Sequence, residues 1–175
     1  LGKLTIENFD IIVVPPGTGL AHAQSLGREG CKIIAKFVEA GGGYLGVCAG
    51  AYLALKGYME ETAWLEIVNA KVRNWPTWAL GRGIVVLRTC EPVHPIMYGF
   101  KGEFKVIYWN GPVMEPYNLT KTTTGAQASP ITPLAYYLRA SEEKGMYNAE
   151  DVGHDMQYVN RVFRNGVAML YSTYG

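Results

Sequence analysis

The sequence predicts an α/β fold with a mostly parallel sheet, helices on both faces of that sheet and a strand-rich second half. Strand-like and helix-like segments alternate over the first 57 residues, which is the pattern of a parallel sheet. After residue 57, four short runs rich in β-branched and aromatic residues predict further strands: residues 64–68, 83–88, 104–108 and 134–138. Because 49% of the 175 residues are apolar, a single domain spanning residues 1–175 is expected to bury its own core.

The first half of the chain predicts two strand and helix pairs. Residues 11–14 (IIVV) form a β-branched run that the proline- and glycine-rich residues 15–19 end, which is typical of a strand buried on both faces. Apolar residues recur near helical spacing over residues 25–40, and three glycines follow. Residues 44–47 predict the next strand, and residues 49–55 the next helix.

Charge and cysteine content narrow the class of partner. The chain has 16 Lys and Arg against 15 Asp and Glu, without a run of like charges, so a small-molecule ligand is expected rather than nucleic acid or a membrane surface. No long apolar span or signal peptide is present. The three cysteines show neither CxxC nor metal-ligand spacing, which predicts free thiols in the cytoplasm and no bound metal. No cofactor is expected.

The chemistry is expected at Cys48. Residues 46–50 (GVCAG) have the form glycine, any residue, nucleophile, any residue, glycine, between a predicted strand and a predicted helix. At such a turn the flanking glycines remove Cβ atoms that would clash, and the thiol is pushed clear of both elements. The start of a helix also favours thiolate over thiol. Cys31 and Cys90 lack this setting and are expected to be spectators.

Backbone donors for an oxyanion are expected beside Cys48. The turn after the first strand contains Gly17 and Thr18, and in a parallel sheet it lies at the same carboxyl edge as the thiol. The N–H groups of Gly17, Thr18 and Ala49 are therefore candidates for stabilising an oxyanion on a carbonyl that Cys48 attacks. A plain tight turn is an equally good interpretation of residues 16–19.

At these residues the chain resembles the class I glutamine amidotransferase-like superfamily and, within it, the family of biotin-protein ligase N-terminal domains. The resemblance implies a flavodoxin-like sheet, with Cys48 at the nucleophile position and residues 107–112 near the pocket. It does not imply biotin transfer, because no biotin-ligase catalytic domain is recognisable. The resemblance rests on residues 13–19 (VVPPGTG), 37–54 (FVEAGGGYLGVCAGAYLA), 94–100 (HPIMYGF), 107–112 (IYWNGP) and 134–138.

No base partner for Cys48 is identified. The amidotransferase pattern places it in a His-x-Glu motif, which this sequence lacks. Both ends of the sequence suggest truncation, and the motif would be expected shortly after Gly175. His22 overhangs the predicted pocket, whereas His94 and His154 are expected in loops, and none of the three is assigned a catalytic role.

Aromatic residues offer further candidate contacts. Trp109 and Asn110 combine an aromatic surface with an amide group, which suits a small polar ligand, although packing explains them equally well. Tyr52, one helical turn after Cys48, is either core or pocket wall. Trp75 and Trp78 flank a proline in an irregular segment without assignable chemistry.

Three functions remain open. The first is an amidotransferase-like or hydrolase-like enzyme with Cys48 as nucleophile, acting on a small amide or carbonyl compound. The second is a non-catalytic small-molecule-binding or regulatory domain that retains the turn, either appended to another domain or assembled as a homo-oligomer. The third is a thiol redox sensor.

Overall fold

A computed structural model describes residues 3–57, 62–76, 79–120, 122–141, 146–147 and 155–175. The chain divides into two compact units, the first formed by Leu1–Val72, Pro116–Ile131 and Ser172–Gly175, and the second by Arg73–Glu115 and Thr132–Tyr171. The expectation of a single domain stays a prediction. None of the helices in the described ranges is long and apolar enough to cross a membrane.

The first unit contains a strand, helix, strand, helix succession. Strand β1 (Ile11–Val14) pairs in parallel with β2 (Gly43–Gly46), and helices α1 (Gly19–Glu39) and α2 (Ala49–Ala54) follow the two strands. Helix α1 begins six residues before the predicted start and is interrupted at Gly27, where φ is 60°. The core of this unit joins α1, α2 and the loop after α2, with Cys31, Leu53 and Leu65 fully buried. Strand β3 (Ala70–Val72) lies at the end of Leu1–Val72, the longest segment of this unit.

The second unit is an antiparallel sheet of six described strands. Its strand order is β6, β9, β7, β4, β5, and β8 pairs with one end of β4. Helix α3 (Met156–Phe163) contributes Val159 and Phe163 to the core on one face of the sheet. The strands are β4 (Arg82–Thr89), β5 (Glu103–Trp109), β6 (Met114–Pro116), β7 (Thr132–Ala140), β8 (Met146–Tyr147) and β9 (Val167–Tyr171).

The predicted flavodoxin-like fold, a mostly parallel sheet with helices on both faces, is wrong. Strands β1 and β2 pair in parallel, whereas β4 with β5, β4 with β7 and β7 with β9 pair antiparallel in the larger sheet. Parallel neighbours need a long crossover connection, usually a helix. Between β4 and β5 the chain instead forms a short 3₁₀ helix (Pro95–Met97), and β5 returns antiparallel to β4. The predicted strands at 83–88, 104–108 and 134–138 are present, whereas residues 64–68 form no strand.

The prediction that β1 is buried on both faces is also wrong. Ile12 and Val14 pack against the helix-containing core of the first unit. Ile11 and Val13 point to the opposite face and are 50% and 55% exposed. Successive strand residues alternate between faces, so only one face of this two-stranded sheet is covered in the described structure.

Candidate active site around Cys48

Cys48 occupies the strand-to-helix turn that the sequence predicts. It is the N-cap residue of α2, directly after Val47, and its backbone has φ 53° and ψ −105°. The N–H of Gly50 donates to the carbonyl of Val47 at 3.0 Å, and the N–H of Tyr52 donates to the carbonyl of Cys48 at 3.0 Å. A non-glycine residue at this backbone conformation is strained by about 1–3 kcal/mol. The cysteine is partly accessible to solvent.

The two glycines that flank the cysteine are sterically required. A Cβ added to Gly46 would lie 2.5 Å from the carbonyl oxygen of Gly50, and a Cβ on Gly50 would lie 2.2 Å from the carbonyl oxygen of Val14. Carbon and oxygen atoms that are not bonded do not approach so closely, and both obstructing atoms belong to the backbone. Glycine is therefore needed on both sides of Cys48, because the chain turns back so tightly against β1 that no Cβ fits there.

Tyr44 braces the same turn. Its hydroxyl donates a 2.7 Å hydrogen bond to the carbonyl of Gly50. Burial, and secondarily the proximity of Cys31, raises the pKa of Tyr44, so the hydroxyl remains protonated and able to donate. The sequence offers no signal for this contact, because it depends on how β2 and α2 fold back on each other.

The candidate oxyanion donors lie at the carboxyl ends of β1 and β2. Gly17 and Thr18 form an exposed turn after β1, and Ala49 is the buried first residue of α2. The N–H of Val47 donates to the carbonyl of Val14 at 3.0 Å, which joins the two strand ends. The starts of α1 and α2 also meet, since a Cβ on Gly19 would lie 2.9 Å from the Cβ of Tyr52. The side chain of Thr18 makes no capping hydrogen bond to α1.

His22 lies against the Gly17 turn. A Cβ on Gly17 would lie 2.9 Å from Nε2 of this histidine, while its Nδ1 is buried without a hydrogen-bond partner in the described structure. Neutral imidazole carries one N–H, and an orphaned buried N–H is rarer in proteins than an orphaned acceptor. We therefore assign the proton to Nε2, which makes His22 a hydrogen-bond donor at this turn. Its position shortly after the glycine-rich turn was the available sequence signal.

The other two thiols differ from Cys48. Cys31 is fully buried in the core of the first unit, and its S–H donates to the carbonyl of Ala63 at 3.5 Å. Burial raises its pKa to about 11. Burial and then the charge of Glu91 raise the pKa of Cys90. None of the three cysteines forms a disulfide.

The second unit holds the other two predicted ligand contacts. Trp109 ends β5, and the guanidinium of Arg82 lies 5.1 Å from the centre of its ring system. Asn110 has φ 50°, and its Oδ1 accepts a 2.8 Å hydrogen bond from the N–H of Gly81. Their role in ligand binding stays a prediction.

The remaining histidines and aromatic residues have these positions. Nδ1 of His94 accepts a hydrogen bond from the N–H of Ile96 at 3.2 Å, and its ring centre is 5.3 Å from that of Tyr171. Tyr52 is buried, and Trp75 is partly exposed. His154 and Trp78 lie outside the described residues. In the described part of the chain, no three His, Cys, Asp or Glu side chains come together as metal ligands.

Part of the chain matches a known protein family. Residues 6–72 match the family model described as "Biotin-protein ligase, N terminal". This range covers less than half of the chain, falls entirely within the first unit, and includes Gly17, Thr18, Cys48 and Ala49 but neither Trp109 nor Asn110. No curated protein and no solved structure matched. The similarity to biotin-protein ligase N-terminal domains thus covers the part of the chain that carries the strained cysteine.

Proposed function

We propose that the first unit is an amidotransferase-like or hydrolase-like module in which Cys48 attacks a small amide or carbonyl compound. The observation that carries this proposal is the backbone of Cys48 at φ 53° and ψ −105°. Glycine adopts such angles without strain, and the chain already has glycine on either side. A strained reactive side chain at a turn, held by the surrounding structure, is a recurrent feature of functional sites.

The neighbouring groups suit the proposed reaction. As the sulfur–carbon bond forms, the carbonyl π electrons move to oxygen, and the N–H groups of Gly17, Thr18 and Ala49 are the proposed donors to that oxyanion. His22, with its proton on Nε2, is a further proposed donor. Collapse of the intermediate breaks the carbon–nitrogen bond, and the amine leaves with the proton that the Cys48 thiol lost, carried to it by solvent. Water then hydrolyses the thioester to the carboxylic acid and the free thiol.

The similarity of residues 6–72 to biotin-protein ligase N-terminal domains supports the position of this site. The amidotransferase-like assignment rests on the resemblance of residues 37–54 and on the geometry of Cys48. The absence of a disulfide among the three cysteines supports a cytoplasmic location, which is part of the same proposal.

Thiol reactivity tests the proposed role of Cys48 directly. Iodoacetamide labelling across pH 6–10, quantified by peptide mass spectrometry, is expected to modify Cys48 well before Cys31 or Cys90. Thiols react as thiolates, and the raised pKa values of Cys31 and Cys90 keep those two protonated. Their thiolate fractions grow only as pH rises towards their raised folded-state pKa values, so labelling of Cys31 and Cys90 should increase towards the upper end of this pH range. Labelling of Cys48 no faster than of Cys90 would contradict the proposal.

A second measurement separates catalysis from binding. Incubation with p-nitrophenyl acetate is expected to leave an acetyl group on Cys48 and to release nitrophenol in a burst equal to the protein concentration. Cys48→Ala should lose the burst, and Cys90→Ala, the matched control, should retain it. A reactive Cys48 that forms no acyl adduct and readily yields sulfenic acid under mild peroxide would favour the redox sensor. An inert Cys48 would favour the binding domain.

A further inference from the structure

Strand β5 forms an outer edge of the six-stranded antiparallel sheet. It is the terminal strand in the order of that sheet and pairs with β4 without a register shift over seven residues. It contains neither proline nor a bulge, which are two of the devices that prevent an edge strand from pairing with another chain. Its geometry is therefore that of a regular, extendable edge.

Hydrogen bonds at the two ends of the β4 and β5 pair show which backbone groups face outward. The N–H of Thr89 donates to the carbonyl of Gly102, and the N–H of Asn110 donates to the carbonyl of Gly81. The backbone groups of residues 102 and 110 therefore point towards β4. Along an antiparallel ladder, hydrogen-bonded pairs alternate with pairs that are not hydrogen-bonded. By that alternation, the backbone N–H and C=O groups of residues 103, 105, 107 and 109 point away from β4.

The side chains of these outward-facing residues lie on the exposed face of the sheet. Ile107 is 86% exposed and Trp109 is 63% exposed, and Lys105 is also exposed. Glu103 is held by ion pairs with Arg88 at 2.6 Å and Arg139 at 3.6 Å. The outward-facing side chains of β5 are thus charged in its first half, at Glu103 and Lys105, and apolar in its second half, at Ile107 and Trp109.

We propose that β5 is the dimerisation edge of this protein and that its occupant is β5 of a second copy, paired antiparallel across a two-fold axis at Ile107. In this register Ile107 lies opposite itself, and Lys105 of each copy lies opposite Trp109 of the other. The pairing adds an apolar contact and two cation–π contacts, and it joins two outward-facing backbone ladders.

The charge pattern disfavours two registers that are centred nearer to Lys105. Pairing centred on Lys105 places two ammonium groups opposite each other, which is destabilising. Pairing centred on residue 106 places Lys105 opposite Ile107 and Glu103 opposite Trp109, so neither charge meets a complementary group. A two-fold axis at Ile107 avoids both conflicts and closes the edge, so the assembly stops at a dimer.

Sedimentation velocity of the 175-residue chain between 1 and 200 µM tests the proposal. We expect a monomer–dimer equilibrium, with Ile107→Lys and Ile107→Glu each shifting the dissociation constant upward by at least tenfold because like charges then face each other. An equimolar mixture of the two variants should recover the dimer, since lysine then lies opposite glutamate. Ile96→Lys, which changes another residue that is 60% exposed in the same unit, is the matched control and should leave the equilibrium unchanged.

Circular dichroism would establish that each variant is folded before sedimentation. A wild-type chain that is monomeric at 200 µM would overturn the proposal, as would oligomers larger than a dimer. Dimers that persist in Ile107→Lys, or a mixture of the lysine and glutamate variants that stays monomeric, would overturn the two-fold register at Ile107. None of these readouts depends on the chemistry of Cys48.

Discussion

The two units of this protein differ in how far apart in sequence the residues that determine their structure lie. In the first unit, short-range sequence features place every element near Cys48, because glycines at fixed spacing permit contacts that a Cβ would block. In the second unit, strands form where β-branched and aromatic residues cluster, but the sheet is held by contacts between segments far apart in sequence, such as β4 with β7. The comparison teaches that local patterns predict turns and strands better than they predict which strands pair.

The largest expected effect lies in the core of the second unit. Phe163 is fully buried, with its ring stacked on Tyr137 at 4.9 Å and edge-on to Tyr108 at 5.0 Å. Phe163→Ala is expected to lower the free energy of unfolding by about 3–5 kcal/mol, because a large buried ring leaves a cavity beside two other aromatic rings. Urea denaturation followed by circular dichroism measures this change.

Tyr98→Ala is the control for this substitution. Tyr98 belongs to the same unit and is almost fully exposed, so its replacement should change the free energy of unfolding by less than about 0.5 kcal/mol. If the two variants unfolded at the same urea concentration, α3 would not hold the sheet through Phe163, and the contrast between long-range and local determination would fail.

An intermediate effect is expected from a single methyl group in the first unit. Gly50→Ala introduces a Cβ 2.2 Å from the carbonyl oxygen of Val14, so β1 or α2 must shift. The expected cost is about 1–3 kcal/mol of stability, as for other overpacked sites. The same shift should slow iodoacetamide labelling of Cys48, because the turn that exposes the thiol is displaced.

Gly111→Ala in the second unit is the matched control. The nearest atom to a Cβ at Gly111 is a carbon of Tyr108 at 3.6 Å, an ordinary contact, so stability should stay within about 0.5 kcal/mol of the wild type. Equal losses in Gly50→Ala and Gly111→Ala would show that the close approach of the turn to β1 does not set its geometry.

The turn and the strands could be predicted from sequence because their causes are local. The GVCAG spacing around Cys48 predicted a strand-to-helix turn, and the positions of β1, α2, β4, β5 and β7 followed from composition. Strand direction could not be predicted, since 83–88 and 104–108 have the same composition in a parallel or an antiparallel sheet. The contacts of Tyr44 and His22 depend on how separate elements fold together, and Asn110 gave no sign that its amide would bind Gly81.

The smallest expected effect concerns the backbone strain at Cys48, and it separates a functional residue from a structural one. Cys48→Gly should raise the free energy of unfolding by about 1 kcal/mol, because relief of a strained φ of 53° outweighs the greater entropy of glycine in the unfolded chain. Asn165→Gly in the second unit, where φ is 58°, should leave stability nearly unchanged, because asparagine tolerates positive φ better than cysteine. The urea concentrations at the unfolding midpoints of the two variants, compared at an equal dependence of the unfolding free energy on urea, measure both changes. If Cys48→Gly were instead less stable than the wild type, the thiol would be stabilising the turn by its packing. The positive φ of Cys48 would then no longer indicate a reactive residue that is retained at a cost in stability.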